Sequence, residues 1–245
     1  MTLRAHMRRS GEWLFRHRSY LPLLLLIPFL VSLRGFQFPE GGRSLDRLWE
    51  GLCFSVSLLG LGVRVFTVGY APSGTSGRST GRPYAHELNE TGIYSVVRHP
   101  LYLGNYFMWI GVMMLSRTLW LPLPVTLAFW LYYERICYAE EALLQDRFGE
   151  RFEAWAAVTP AFFPALDRWV SPSESFSAMT ALRRERSGAF GLVAAFALAD
   201  TLEETWVRGR LAIDPMWLVA FLVAALLFTI LRTLQHRTKL LDAAR

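Results

Sequence analysis

The chain has 245 residues, of which 53% are hydrophobic, 14% aromatic and only 19% charged, and its formal net charge is +6. That balance excludes an ordinary soluble domain and fits a polytopic membrane protein with modest loops. The basic residues gather at the edges of apolar runs, which points to topology and anionic lipid headgroups rather than to nucleic acid.

The first apolar run, 20–31, follows a long basic segment and is not trailed by a small-residue cleavage site, so it reads as a membrane helix rather than a leader. Apolar run length predicts an all-α fold with about six membrane segments, near 19–35, 47–70, 100–116, 118–139, 187–205 and 214–234. A full crossing needs about 20 residues. Pro22, Pro28, Pro122 and Pro124 are expected to begin or kink helices. Only Ser116, Arg117 and Thr118 separate the third and fourth segments, which predicts an antiparallel helical hairpin. Arg4, Arg8, Arg9, Arg16 and Arg18 place the amino terminus inside, and an even number of crossings returns the carboxyl terminus to the cytoplasm. Without organelle signals, the default membrane is a bacterial inner membrane.

Between the second and third segments, 69–83 is rich in Gly, Ser, Thr and Pro. It lacks the spacing of a phosphate-binding loop and reads either as a flexible connector or as a lid over a cytoplasmic site. Beyond the fourth segment, Tyr138 to Trp155 is expected to leave the membrane as an amphipathic helix. Leu143, Leu144, Phe148, Phe152 and Trp155 lie on its apolar side, Gly149 interrupts it, and Pro160 and Pro164 end it. Cys53 and Cys137 sit inside apolar segments as reduced thiols, and no metal-ligand spacing is present.

The chemistry-bearing residues gather at one mouth of the hairpin. Arg98-His99-Pro100 opens the third helix, where a proline is tolerated and free amides favour an anion. Arg98 adds a planar donor fork, His99 can donate, accept or titrate, and Tyr94 and Tyr102 offer aromatic faces. Such a group is either an anion-plus-aromatic pocket or an interfacial belt that anchors a helix. Glu140-Glu141 returns to the same side, either as a partner of Arg98 and a cation or as a solvated helix start. Arg135 either snorkels or holds an acidic headgroup. In the fifth segment, Asp200, Glu203 and Glu204 mark either a cation path or, with Trp206 and Arg208 beyond, the opposite interface.

His86, Tyr94, the run Arg98-His99-Pro100-Leu101-Tyr102-Leu103-Gly104, and Glu140-Glu141 ahead of Phe148-Gly149 together resemble the isoprenylcysteine carboxyl methyltransferase and phospholipid methyltransferase superfamily. The resemblance covers 86–164 and implies that segment as a methyltransferase core, between membrane helices in 1–85 and in 165–245. It implies an integral membrane methyltransferase that binds S-adenosylmethionine on the cytosolic side and reaches a lipophilic acceptor from the bilayer. The cofactor contacts so implied are His86, Glu87, Leu88, Asn89, Tyr94, His99, Pro100, Leu101, Tyr102, Glu140 and Glu141. Arg98, His99 and Glu140 are the implied catalytic residues, with Arg98 and Arg135 toward the acceptor. One departure stands out. Ile136 occupies the place where the eukaryotic prenylcysteine enzymes carry an acceptor-binding arginine, and Arg135 is one position earlier, about 100° around a helix. A lipid or isoprenoid carboxylate, a lipid phosphate and a phospholipid amine all stay open as acceptors. The rival reading is a transporter or channel using Asp200, Glu203 and Glu204.

Overall fold

The computed structural model describes residues 2–36, 42–72, 87–118 and 120–237; His86 and most of the connector expected over 69–83 lie outside the described residues. Among the described residues the regular structure is all helical, with a single isolated bridge between Gly92 and Val170 and no strand.

Helix α1, Leu3–His17, is capped by Thr2, whose hydroxyl oxygen accepts from the Ala5 amide at 3.3 Å. A short 3-10 turn opened by Pro22 then leads into α2, Leu26–Ser32. The axis of the 21–35 stretch turns 83° from α1. Next come α3, Gly42–Tyr70, and α4, Pro100–Met114, with Pro100 in the first turn, where its missing amide leaves no bond unmade. Helix α5, Pro122–Phe148, is followed by α6, Glu150–Val158, and by the long α7, Ala178–Arg208, and α8, Pro215–Arg237.

Two helical stretches are long and apolar enough to cross a membrane, Leu45–Tyr70 and Pro215–Gln235, and the bent pair 3–17 and 21–35 makes a third if it is one span. This is a membrane protein. Six spans are more than helix length and composition alone support. Helix α4, with 15 residues, extends about 22 Å against a hydrocarbon layer of about 30 Å. Gly149 interrupts the amphipathic extension as expected: at φ 51° it ends α5 and precedes α6, a conformation that disfavours any side chain with a Cβ.

The core is built where α3 meets α4 and α7. Cys53, Met113, Leu121 and Phe196 are fully enclosed, and Phe54, Phe196 and Trp217 stack edge and face. The close approach of α3 to α4 depends on small residues, as in other apolar helix pairs. A Cβ on Gly104 would stand 2.7 Å from the Gly60 carbonyl oxygen and 2.6 Å from Arg64 Cγ. Helix α1 lies against α5 in the same manner, with Gly11 over the Arg135 carbonyl. These contacts fix an alternating course. The start of α4 and the end of α3 lie at one end of the molecule, and the starts of α3 and α8 lie at the other.

Candidate functional site

The turn that precedes α4 is held by its backbone. Gly92, at φ 60°, donates its amide to the Val170 carbonyl at 2.9 Å, and the Val170 amide donates to Ser95 Oγ at 2.9 Å. The Ala165 amide donates to the Val96 carbonyl, and the Arg98 amide to the Pro160 carbonyl, both at 2.9 Å. Trp155 Nε1 of α6 donates to the Tyr94 carbonyl at 3.1 Å. A strap running from α6 to residue 172 therefore buttresses the whole turn from outside.

On this frame the charged groups converge. Arg98 Nε donates to Glu141 Oε1 at 2.9 Å, and Arg98 Nη1 donates to the carbonyls of Ala156 and Thr159 at 2.7 and 2.8 Å. His99 is buried, with Nε2 2.9 Å from Glu141 Oε1 and Nδ1 3.6 Å from Glu140 Oε2. A carboxylate can only accept, so Nε2 carries the proton toward Glu141. The Tyr102 hydroxyl donates to Glu140 Oε1 at 2.6 Å, and its ring stacks on His99.

The two carboxylates differ. Burial pushes the Glu141 carboxyl up, but the hydrogen bond and charge of His99, with Arg98, outweigh it and hold the group below the ordinary range. For Glu140 burial wins and the carboxyl is raised, against the opposing pull of His99, Tyr102 and, at longer range, Arg18. Glu140 thus has Tyr102 and His99 as its close polar neighbours, while Arg98 goes to Glu141. Tyr94 packs against Leu88, Phe152 and Trp155, its phenol hydrogen-bonded to Asn89 and pushed up to about 12, first by burial and then by the Glu140 charge.

The remaining expected site residues spread out. Leu88 is buried against Phe152 and Trp155 of α6, while Glu87 is exposed. Pro100 is fully enclosed in the first turn of α4 and Leu101 is half-buried beside it. Arg135 reaches the Leu131 carbonyl of its own helix, and Ile136 is fully buried with Phe15 and Tyr133.

Sequence reasoning missed a second polar layer beneath the first. Arg64 of α3 grips Glu185 of α7 through two hydrogen bonds of 2.8 Å and donates to Asn105 Oδ1 at 2.7 Å. Asn105 Nδ2 donates to the Tyr133 hydroxyl at 3.0 Å, and the Tyr133 ring lies 4.5 Å from that of Tyr102. The available signal was Asn105 directly after the glycine of the motif and a lone arginine deep in an apolar run.

At the far end of α4 lies a separate acidic group. Asp200, Glu203 and Glu204 are buried, and Asp200 Oδ2 and Glu203 Oε1 have no hydrogen-bond partner. Arg117 pairs with Asp46, and Arg208 with Glu204. Among the described residues no three His, Cys, Asp or Glu side chains converge as metal ligands.

The family model for phospholipid methyltransferases matches residues 51–151, the stretch from mid-α3 through α4 and α5 to the start of α6. Curated relatives include the nickel-cobalt-cadmium resistance protein NccN of Alcaligenes xylosoxydans xylosoxydans, 37% identical over 51% of this chain and 58% of its own. The cobalt-zinc-cadmium resistance protein CzcN of Cupriavidus metallidurans is 36% identical over 48% of this chain and 54% of its own. The protein-S-isoprenylcysteine O-methyltransferase of Schizosaccharomyces pombe is 34% identical over 33% of this chain and 34% of its own. The aligned segment spans little more than half the length of the first two relatives and a third of the yeast enzyme. No solved structure matches the chain. The phospholipid methyltransferase match includes Arg98, His99, Tyr102, Glu140 and Glu141.

Proposed function

We propose that the protein is an integral membrane methyltransferase that uses S-adenosylmethionine and methylates a lipophilic acceptor. One observation carries the reading: Glu140 meets Tyr102 and His99 but no arginine, while its neighbour Glu141 is already matched by Arg98. A ligand bearing both a sulfonium and an ammonium supplies the positive charge that Glu140 lacks, and the aromatic faces suit an adenine or a sulfonium.

When bound, S-adenosylmethionine supplies an electrophilic methyl group. In this reading Glu140 holds positive charge, Asn89 and Tyr94 line one wall, and His99 and Tyr102 fix the carboxylate's orientation. Glu87, Leu88, Leu101 and His86 complete the wall by resemblance alone. Arg98, bound to Glu141 of α5, to the Ala156 carbonyl of α6 and to the Thr159 carbonyl just after it, positions the pocket and excludes water by tying the turn before α4 to α5 and α6. The rate comes from alignment and desolvation of the acceptor. A carboxylate or phosphate acceptor needs no base; an amine must lose a proton, and His99 and Glu140 are the candidates to take it. Arg135 and Arg98 are the cations available to an anionic acceptor. We place the site on the cytosolic side of a bacterial inner membrane, both termini inside, with six crossings in which α4 and the 21–35 stretch are short.

Purified protein in lipid nanodiscs, given labelled S-adenosylmethionine and membrane lipid extract, is expected to yield a labelled lipid identifiable by mass spectrometry. Absence of both cofactor binding and labelled product overturns the proposal.

A second reading, ion translocation, is favoured by the buried carboxylates of Asp200, Glu203 and Glu204 and by the metal-resistance names of two relatives. It predicts that the triple variant Asp200→Asn/Glu203→Gln/Glu204→Gln abolishes cobalt or cadmium flux in proteoliposomes and leaves methyl transfer intact.

A further inference from the structure

Helix α1 carries Arg4, Arg8, Arg9 and Arg16 against a single acid, Glu12. Its inner face is taken up by the protein. Gly11 and Phe15 are buried against α5, and Arg8 donates to Asp146 of α5 at 2.9 Å. The outer face is open: Arg9 and Arg16 are exposed there, interleaved with Trp13 at 49% exposure.

The bend at 18–20 gives this face a direction. Leu23, Leu24, Ile27 and Leu30 of the following stretch are exposed apolar side chains, a surface suited to hydrocarbon. Because α1 leaves that stretch at 83°, a 21–35 segment that enters the bilayer holds α1 in the plane of the membrane surface. Arginines interleaved with an indole are the pattern of a helix lying in the headgroup layer, with apolar groups at the acyl boundary and cations among the phosphates. An excess of arginine there attracts anionic lipid.

We propose that α1 is a membrane-surface helix that binds the headgroups of anionic phospholipids through Arg9 and Arg16, with Trp13 at the acyl boundary. The proposal concerns the lipid around the protein and stands whether or not the protein transfers methyl groups.

The native cysteines, Cys53 and Cys137, are buried, so a fluorophore on Ala5→Cys, an exposed position of α1, reports this helix selectively. In phosphatidylcholine vesicles containing brominated phosphatidylglycerol or brominated phosphatidylcholine, two results are expected. The label is shielded from a neutral water-soluble quencher, and brominated phosphatidylglycerol has the higher relative association constant. That preference should drop roughly fivefold for each of Arg9→Gln and Arg16→Gln and should shrink as salt rises. Equal quenching by the two lipids overturns the proposal. So does a label open to the aqueous quencher in vesicles, which would leave the basic face to a soluble acidic partner.

Discussion

Glu140 and Glu141 are adjacent in sequence, yet their environments push them in opposite directions, and the difference can be measured. Glu141 is depressed in the folded protein, so its contribution to stability is present above the ordinary carboxylate value of about 4.3 and is lost as pH falls through the native value. Glu140 is raised, so its contribution has the opposite sign: full below the unfolded value and lost as pH rises through the native one. Glu141→Gln should therefore lower stability at pH 7 by about 1–3 kcal/mol, a deficit that narrows in acid, as denaturant melts at two pH values would show. Glu140→Gln should unfold no earlier than the parent at pH 7 but lose S-adenosylmethionine affinity by at least about tenfold in a titration. In the parent that affinity should fall on acidification with a midpoint above the usual glutamate range. Arg98→Lys keeps the charge but not a fork that reaches one carboxylate and two carbonyls at once, so it should cost about 2 kcal/mol of stability and weaken cofactor binding.

Helix packing explains why the motif has the shape it does. Gly104 is where α3 crosses α4, and the stem of Arg64 runs across it to Asn105. A Cβ at this point meets the Gly60 backbone, which cannot rotate away, so Gly104→Ala should destabilise by about 1–3 kcal/mol and lower cofactor affinity with it. Gly62, two residues along α3, faces open space, and Gly62→Ala should instead be neutral or stabilising by up to about 1 kcal/mol through helix propensity. Paired thermal melts in detergent check both; equal effects at the two glycines would refute the close-crossing account.

At the scale of the molecule, Arg64 and Glu185 join α3 to α7 and, through Asn105 and Tyr133, brace the floor of the candidate site against α4 and α5. Removing one member of a buried pair strands the other charge. Arg64→Met or Glu185→Met alone should cost about 3–5 kcal/mol, and the double variant markedly less than the sum, in a double-mutant cycle.

Composition and apolar periodicity were enough to specify a helical membrane protein, because hydrocarbon demands long apolar stretches with internally satisfied backbones. They also placed Arg98, His99, Tyr102, Glu140 and Glu141 as one candidate cluster, since a glycine-and-proline turn and a dense run of polar groups are local signals. The number of crossings was less legible, because a 15-residue helix such as α4 and a short stretch such as 21–35 read in sequence like full apolar runs. Which carboxylate is matched, where Arg98 spends its donors, and that Arg64, Glu185, Asn105 and Tyr133 lie under the site were decided only by tertiary structure. Those contacts join residues 28 to 121 positions apart, and no periodicity within a single helix encodes which face of a distant helix will meet it.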